Sequence, residues 1–113
     1  MGIKVSHEAY SGSARAFHRW RCALAKTIGI DLMTMNGFGG AKSWGQLAFD
    51  PLHILLDHPD HEGEILWASL SMLITRLEQV IHLLPDSDMQ ELTQDFIEGA
   101  KAAMLSYSSL TFS

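Results

Sequence analysis

The stretch Leu55-Leu56-Asp57-His58-Pro59-Asp60-His61-Glu62-Gly63-Glu64-Ile65 sets six ionisable side chains between two apolar runs. Its spacing supports more than one chemistry. His53 and Asp57 fall four apart, on one face of a helix. His58 and His61 fall three apart, and Asp60 and Glu64 add carboxylate oxygens. Imidazole and carboxylate donors suit zinc, manganese or iron. Such a centre would hold its metal on His58, Asp60 and His61, with Glu64 as the general base of a metal-dependent hydrolase. The string from His58 to Gly63 also imitates the start of a calcium loop. Its twelfth position is Ser69, however, where a bidentate glutamate is needed. A plainer reading needs no ligand. Asp60, Glu62 and Glu64 at a helix N-terminus would each gain roughly 0.3–1 kcal/mol from the helix dipole, and Asp60 would cap an orphan backbone N–H.

Arg21 bears on this corner. At helical spacing Phe17, Leu24 and Ile28 fall within about 40° of one another, and Arg21 falls on the same arc. The basic residues Arg15, Arg19 and Lys26 fall on the far side. A charge inside an apolar stripe requires a partner, because an unpaired buried charge costs several kcal/mol. The spacing therefore predicts an Arg21–Asp60 or Arg21–Glu64 pair pinning the first helix to the corner. In the functional version of this contact the arginine also meets an anionic ligand, with Trp20 or Trp44 stacked on it.

Other routes to chemistry find less support. Cys22 lies on the outer side of the first helix near Arg19 and Lys26, with no histidine assigned as its base. Gly37-x-Gly39-Gly40 lacks the lysine and the following helix of a phosphate loop, and no serine sits in a nucleophile elbow. His7, His18 and His82 read as surface residues.

The elements that must position these residues follow from periodicity. A helix is expected over Ala14 to Ile28, stopped by Gly29. Residues 30–45 read as an irregular loop, and its apolar Met33, Met35, Phe38 and Trp44 fold it onto the core as a wall or lid. Asp50-Pro51 opens a short helix over 51–57, which Pro59 ends. The next helix is expected to start between Asp60 and Glu64 and to run to Leu84, burying Leu66, Leu70, Leu73, Ile74, Leu77, Val80, Ile81 and Leu84. A last helix opens on a Ser87/Gln90 capping box and turns Met89, Leu92, Phe96, Ala100, Ala103, Met104 and Tyr107 inward. Residues 2–6 form a short strand that residues 108–113 join.

At 113 residues, 47% hydrophobic and 19% charged, the chain fits one globular domain. One cysteine excludes an intrachain disulfide and favours a reducing compartment. Lys4 is followed by Ser6, His7 and Glu8 rather than an apolar run, and the apolar stretch near 65–74 is too short for a bilayer. These features point to a soluble, cytoplasmic chain. The net charge of −5 argues against nucleic-acid binding. The charge is unevenly distributed: residues 1–42 carry six basic and two acidic residues, whereas residues 43–113 carry Arg76 and Lys101 against eleven acids. The two parts are expected to attract, within one chain or across a homodimer.

Three blocks, taken in order, carry a resemblance over nearly the whole length. They are Phe17-x-x-Trp20-Arg21-x-x-Leu24-Ala25-x-x-x-Gly29-Ile30, then Met35-x-Gly37-Phe38 with Trp44, then Pro51-Leu52-x-x-Leu55-Leu56-x-His58-x-Asp60-x-x-Gly63-Glu64-Ile65 with Arg76-Leu77-Glu78. The chain resembles a group of small proteins of bacteria and their phages, whose third block typically reads His-Ser-Asp-Cys-Asp-Gly-Glu-Ile. Here Pro59, His61 and Glu62 replace the serine, cysteine and second aspartate. The resemblance implies a phage-linked setting and no particular reaction.

The expected fold is mainly α: one domain over residues 1–113, about four helices, and a two-stranded ribbon from the termini. The expected function is that of a small non-enzymatic binding protein without cofactor. It would hold a host protein or a small anionic molecule through Phe17, Trp20, Arg21, Phe38, Trp44, His58, Asp60 and Glu64, with counter-defence as a purpose. The alternatives are the zinc or manganese hydrolase and a structural interaction subunit. If the chain is phage-encoded, its setting is the bacterial cytoplasm, with no nucleic-acid or membrane partner.

Overall fold

A computed structural model of the chain describes residues 2–47, 49–60 and 62–113. Strand β1 (Gly2–Val5) pairs antiparallel with β2 (Tyr10–Ser13), placing Gly2 opposite Ser13 and Val5 opposite Tyr10. Ile3 and Val5 point inward and Lys4 outward, as a two-residue period requires. The turn between them holds His7 and Glu8 at φ +60° and +59°, with the Ala9 N–H donating to the Ser6 carbonyl at 3.2 Å. This mirror-image turn suits strand twist but normally takes Asn-Gly. Two residues with side chains stay there because the turn is clamped from behind. A Cβ on Gly99 would lie 2.5 Å from Ala9 Cα, so only glycine permits so close an approach.

Helix α1 (Ala14–Thr27) begins where Ser13 Oγ accepts from the Ala16 N–H at 3.0 Å. It ends one residue before the expected Ile28, and Gly29 takes the left-handed conformation at φ +76°. Phe17, Trp20, Arg21, Leu24 and Ala25 are buried. The following loop folds onto the core as its apolar content suggests. Leu32 and Met35 are buried, Phe38 and Trp44 partly so, while Met33 is exposed. Bridges of Met35 to Lys42 and Asn36 to Gly40 hold the glycine-rich segment closed.

The short second helix, α2 (His53–Leu56), follows Asp50, whose carboxylate accepts from the Leu52 N–H at 3.0 Å. The largest departure from expectation comes next. Among the described residues no helix starts between Asp60 and Glu64. Strand β3 (Glu64–Ile65) pairs antiparallel with β4 (Leu110–Thr111), and helix α3 (Trp67–Val80) begins only after it. Gly63 sits at φ +81° and its carbonyl accepts from the Phe112 N–H at 3.0 Å. The backbone groups a helix would have used are thus bonded to the C-terminal strand. The cap residue of α3 is Leu66, without a side-chain acceptor and 57% exposed, so the acids at 60–64 lie ahead of a strand rather than at the start of α3.

Helix α3 otherwise buries Leu70, Leu73, Ile74, Leu77 and Val80 as expected, and continues as a 3-10 turn over Ile81–Leu83 in which Ile81 is half-buried. Helix α4 (Ser87–Leu105) is capped by Asp86 rather than Ser87, and Gln90 donates its amide to the Leu84 carbonyl. Thr93, Ile97 and Gly99 join its buried face, whereas Tyr107 is exposed. Lys4 and Ser113 exchange backbone hydrogen bonds at 2.9 and 2.8 Å, so the termini pair as anticipated. The architecture is mainly α, with four helices and small antiparallel ribbons. Among the described residues no helix is long and apolar enough to cross a membrane.

Replacing Gly99 with alanine is expected to cost about 1–3 kcal/mol in urea denaturation, because its methyl group cannot fit against Ala9. Glu8→Gly should raise the midpoint by releasing the left-handed strain. An unchanged midpoint for Gly99→Ala would show that the hairpin does not press on α4.

Candidate functional site

The last carbonyls of a helix lack intrahelical donors. At the end of α2 they are collected by Arg21, whose Nη1 donates to the carbonyls of Leu55 (3.2 Å), Leu56 (3.3 Å) and His58 (2.5 Å). The guanidinium carbon lies 4.9 Å from the Phe17 ring centre and 5.2 Å from that of Phe38, so two aromatic faces screen the charge. Burial pushes the guanidinium pKa down, and the charges of Asp60, Cys22 and Asp57 act in the opposite direction. The expected contact between Arg21 and the corner therefore exists, but its hydrogen bonds go to the main chain. Asp60 acts on Arg21 through its charge, and the Glu64 residue is exposed. Arg21 Nε is buried without a partner among the described residues.

His58 closes the corner from the other side. Its Nδ1 lies 2.6 Å from the Pro59 carbonyl and its Nε2 3.1 Å from the Glu64 carbonyl. The ring rests 4.2 Å from that of Phe112 on the C-terminal strand. Both neighbouring atoms only accept, so a neutral imidazole satisfies one of them and an imidazolium both. In this arrangement both ring nitrogens are directed at main-chain oxygens. Among the described residues no three His, Cys, Asp or Glu side chains gather to hold one. Of the expected metal ligands, His58 has both ring nitrogens directed at carbonyl oxygens, and His61 lies outside the described residues.

Of the anticipated ligand-contacting residues, the structure brings Phe17, Arg21, Phe38, His58 and Asp60 together. Trp44 joins edge-on to Phe38 at 6.0 Å, its Nε1 donating to the Asn36 carbonyl. Trp20 goes elsewhere. It is fully buried against Tyr10 and Phe96, and its Nε1 donates to Thr93 Oγ1 at 2.8 Å. His18, expected on the surface, stacks on Phe38 and sets its Nε2 3.6 Å from Cys22 Sγ. This is a one-turn spacing that sequence could have suggested. Burial, and then Asp31, pushes the Cys22 thiol up, which disfavours the thiolate a nucleophile needs.

A second place escaped sequence reasoning. A cleft of about 700 Å³ lies between residues 49–51 and α3, lined by Phe49, Pro51, Met72 and Arg76 with Ser71, Thr75 and Gln79. Phe49 is 98% exposed and Met72 55%. Arg76 grips Asp50 with two hydrogen bonds of 3.1 Å and reaches Gln79. Burial raises the Asp50 pKa, but the Arg76 hydrogen bond, the Leu52 N–H and nearby positive charge outweigh it and hold the carboxyl below its usual range. The available signal was Phe49 itself, a large apolar residue belonging to no periodic stripe.

Arg21→Ala is expected to lower stability by about 3–5 kcal/mol, since it uncaps α2 within a desolvated corner. Arg21→Lys should recover only part of this, lacking the planar fork. Asp50→Asn tests the other pair. A depressed folded pKa gives stability that is complete above the unfolded value of about 3.9 and is lost as pH falls through the folded one. The variant should thus be less stable than wild type at pH 7, and the gap should close in acid. A gap independent of pH would remove ionised Asp50 as its cause. Comparison with protein-family models, curated proteins and solved structures finds no match for this chain.

Proposed function

We propose that this chain is a small non-enzymatic binding protein whose ligand is another protein, docked at the cleft beside Phe49. The observation that carries the reading is the near-complete exposure of Phe49 above that cleft. Leaving an aromatic side chain in water forgoes roughly 1.5–3 kcal/mol of burial. Aromatic groups and arginines supply most binding anchors, and hydroxyls and amides supply the rim. Phe49 and Met72 offer the apolar part of such a contact, and Ser71, Thr75 and Gln79 the polar part. A small anion fits less well, because Arg21 is 4% exposed and already holds three carbonyls. The resemblance of the three sequence blocks to small phage proteins supports a host protein as the partner and counter-defence as the purpose.

Phe49→Asp should leave thermal melting unchanged, because the ring touches little of the fold. The same substitution should weaken binding of a purified host partner by about tenfold to hundredfold. A partner bound equally well by both forms would move the contact elsewhere. Stabilisation of the wild type by inorganic phosphate or a nucleotide, absent in Arg21→Lys, would restore the small-anion reading.

A further inference from the structure

Tyr107 occupies a position where a side chain costs the fold. The turn after α4 is closed by the Tyr107 N–H on the Met104 carbonyl (3.1 Å) and the Ser108 N–H on the Ala103 carbonyl (2.8 Å), with Tyr107 left-handed at φ +52°. Glycine adopts that conformation freely, whereas a bulky residue is strained in it. Burial does not offset the strain. The tyrosine is 76% exposed, and its ring lies edge-on to that of Trp67 at 5.6 Å, itself 46% exposed. A residue that breaks a local rule and stands in water points to a contact outside the chain.

The pair belongs to a larger patch. Helices α3 and α4 are joined along their outer side at two points, Trp67 on Tyr107 and Lys101 Nζ on Glu78 Oε2 at 3.1 Å. Trp67 and Glu78 fall within about 20° of one another on α3 and about 16 Å apart, three helical turns. Leu105 lies one turn beyond Lys101 on α4, between the two points, and is 79% exposed. Leu66 is exposed at the start of α3, and in extended chain it falls on the same side as Glu64. Taking about 200 Å² for a large side chain, Leu66, Trp67, Leu105 and Tyr107 leave on the order of 500 Å² in water. An apolar patch of that size is large for a monomer and is often functional.

Charge distinguishes what could cover it. Residues 43–113, which supply the whole patch, hold eleven acids and two basic residues, and both basic residues are engaged, Arg76 with Asp50 and Lys101 with Glu78. Glu64 stands beside Leu66, and Glu98 stands two turns before Leu105 on the same side of α4. Both are exposed and make no ion pair among the described residues. A second copy would bring the same carboxylates against these, and an anionic surface would be repelled as well. We infer that this patch receives a basic amphipathic helix of another protein. Its apolar side lies on Leu66, Trp67, Leu105 and Tyr107, along the seam of α3 and α4, and its Lys or Arg side chains reach Glu64 and Glu98. Trp67 and Met72 fall about 140° apart on α3. The patch thus faces away from the Phe49 cleft, shares none of its lining residues, and stands or falls separately from the proposed function.

Isothermal titration of the full chain with a synthetic amphipathic leucine–lysine peptide tests it, beside the same peptide with glutamate in place of lysine. The lysine peptide should bind and the glutamate peptide should not. Trp67→Ala and Tyr107→Gly leave the net charge unchanged, so the tenfold or greater weakening expected of each, roughly the loss of one binding anchor, reports the patch rather than overall attraction. Tyr107→Gly should not lower the melting temperature, because the left-handed strain is gone. Glu64→Lys with Glu98→Lys should reverse the preference between the two peptides, and Phe49→Ser should bind the lysine peptide as the wild type does. Undiminished affinity in both Trp67→Ala and Tyr107→Gly places the peptide on acids elsewhere and overturns the inference. So does equal binding of the two peptides, or a wild type that dimerises through these residues in sedimentation velocity.

Discussion

The cation of Arg21 is held almost entirely out of water, and much of the molecule's arrangement follows from that requirement. A buried guanidinium needs acceptors, and in α2 the fold supplies them as carbonyls at the end of a helix of only four residues. So short a helix is not stable alone. It persists because Leu52, Leu55 and Leu56 are fully buried and because its open end is closed by a side chain from α1. Helix dipole and point charge reinforce one another there, with the negative end of α2 facing a positive group. Phe17 and Phe38 cover the two faces of the charge, which ties the glycine-rich loop to the same point.

This economy reshapes the acidic corner. Its residues look like ligands or caps, yet most of their backbone neighbours are already engaged. His58 is braced between two carbonyls and an aromatic ring. Asp57 has its pKa raised by burial, against the opposing influence of His53, Arg21 and His58, so its ionised form is mildly unfavourable in the folded state. The corner is best understood as a junction where α1, α2 and the C-terminal strand are fastened together.

The helical part of this arrangement was legible because it rests on local rules. Ser13 before α1, Gly29 after it, Asp50-Pro51 before α2, and the 3.6-residue periodicity of α3 all act within a few residues of themselves. Arg21 was legible for a similar reason, since a charge within an apolar arc requires a partner wherever the arc is buried. What could not be read was set by distant chain. Glu64 and Ile65 form a strand only because Leu110 and Thr111 lie beside them. Acids ahead of an apolar run signal a helix start equally well when a strand intervenes. The identity of Arg21's acceptors was hidden too, because main-chain carbonyls leave no mark in a sequence. Trp20 was misassigned because its helical position is compatible with both the corner and α4, and Thr93, 73 residues away, settles it.

The pairing of the chain's ends has a kinetic side. Lys4 and Ser113 are joined across 109 positions, and the Thr111 N–H reaches Ser6 Oγ across 105. Contacts of such separation close the largest loop the chain can make, and they reward closure only once the intervening helices are in place. The final strand also completes the corner, through Phe112 on Gly63 and against His58. The helices can therefore condense before β4 docks, but the acidic corner takes its native form only once β4 has paired with β3.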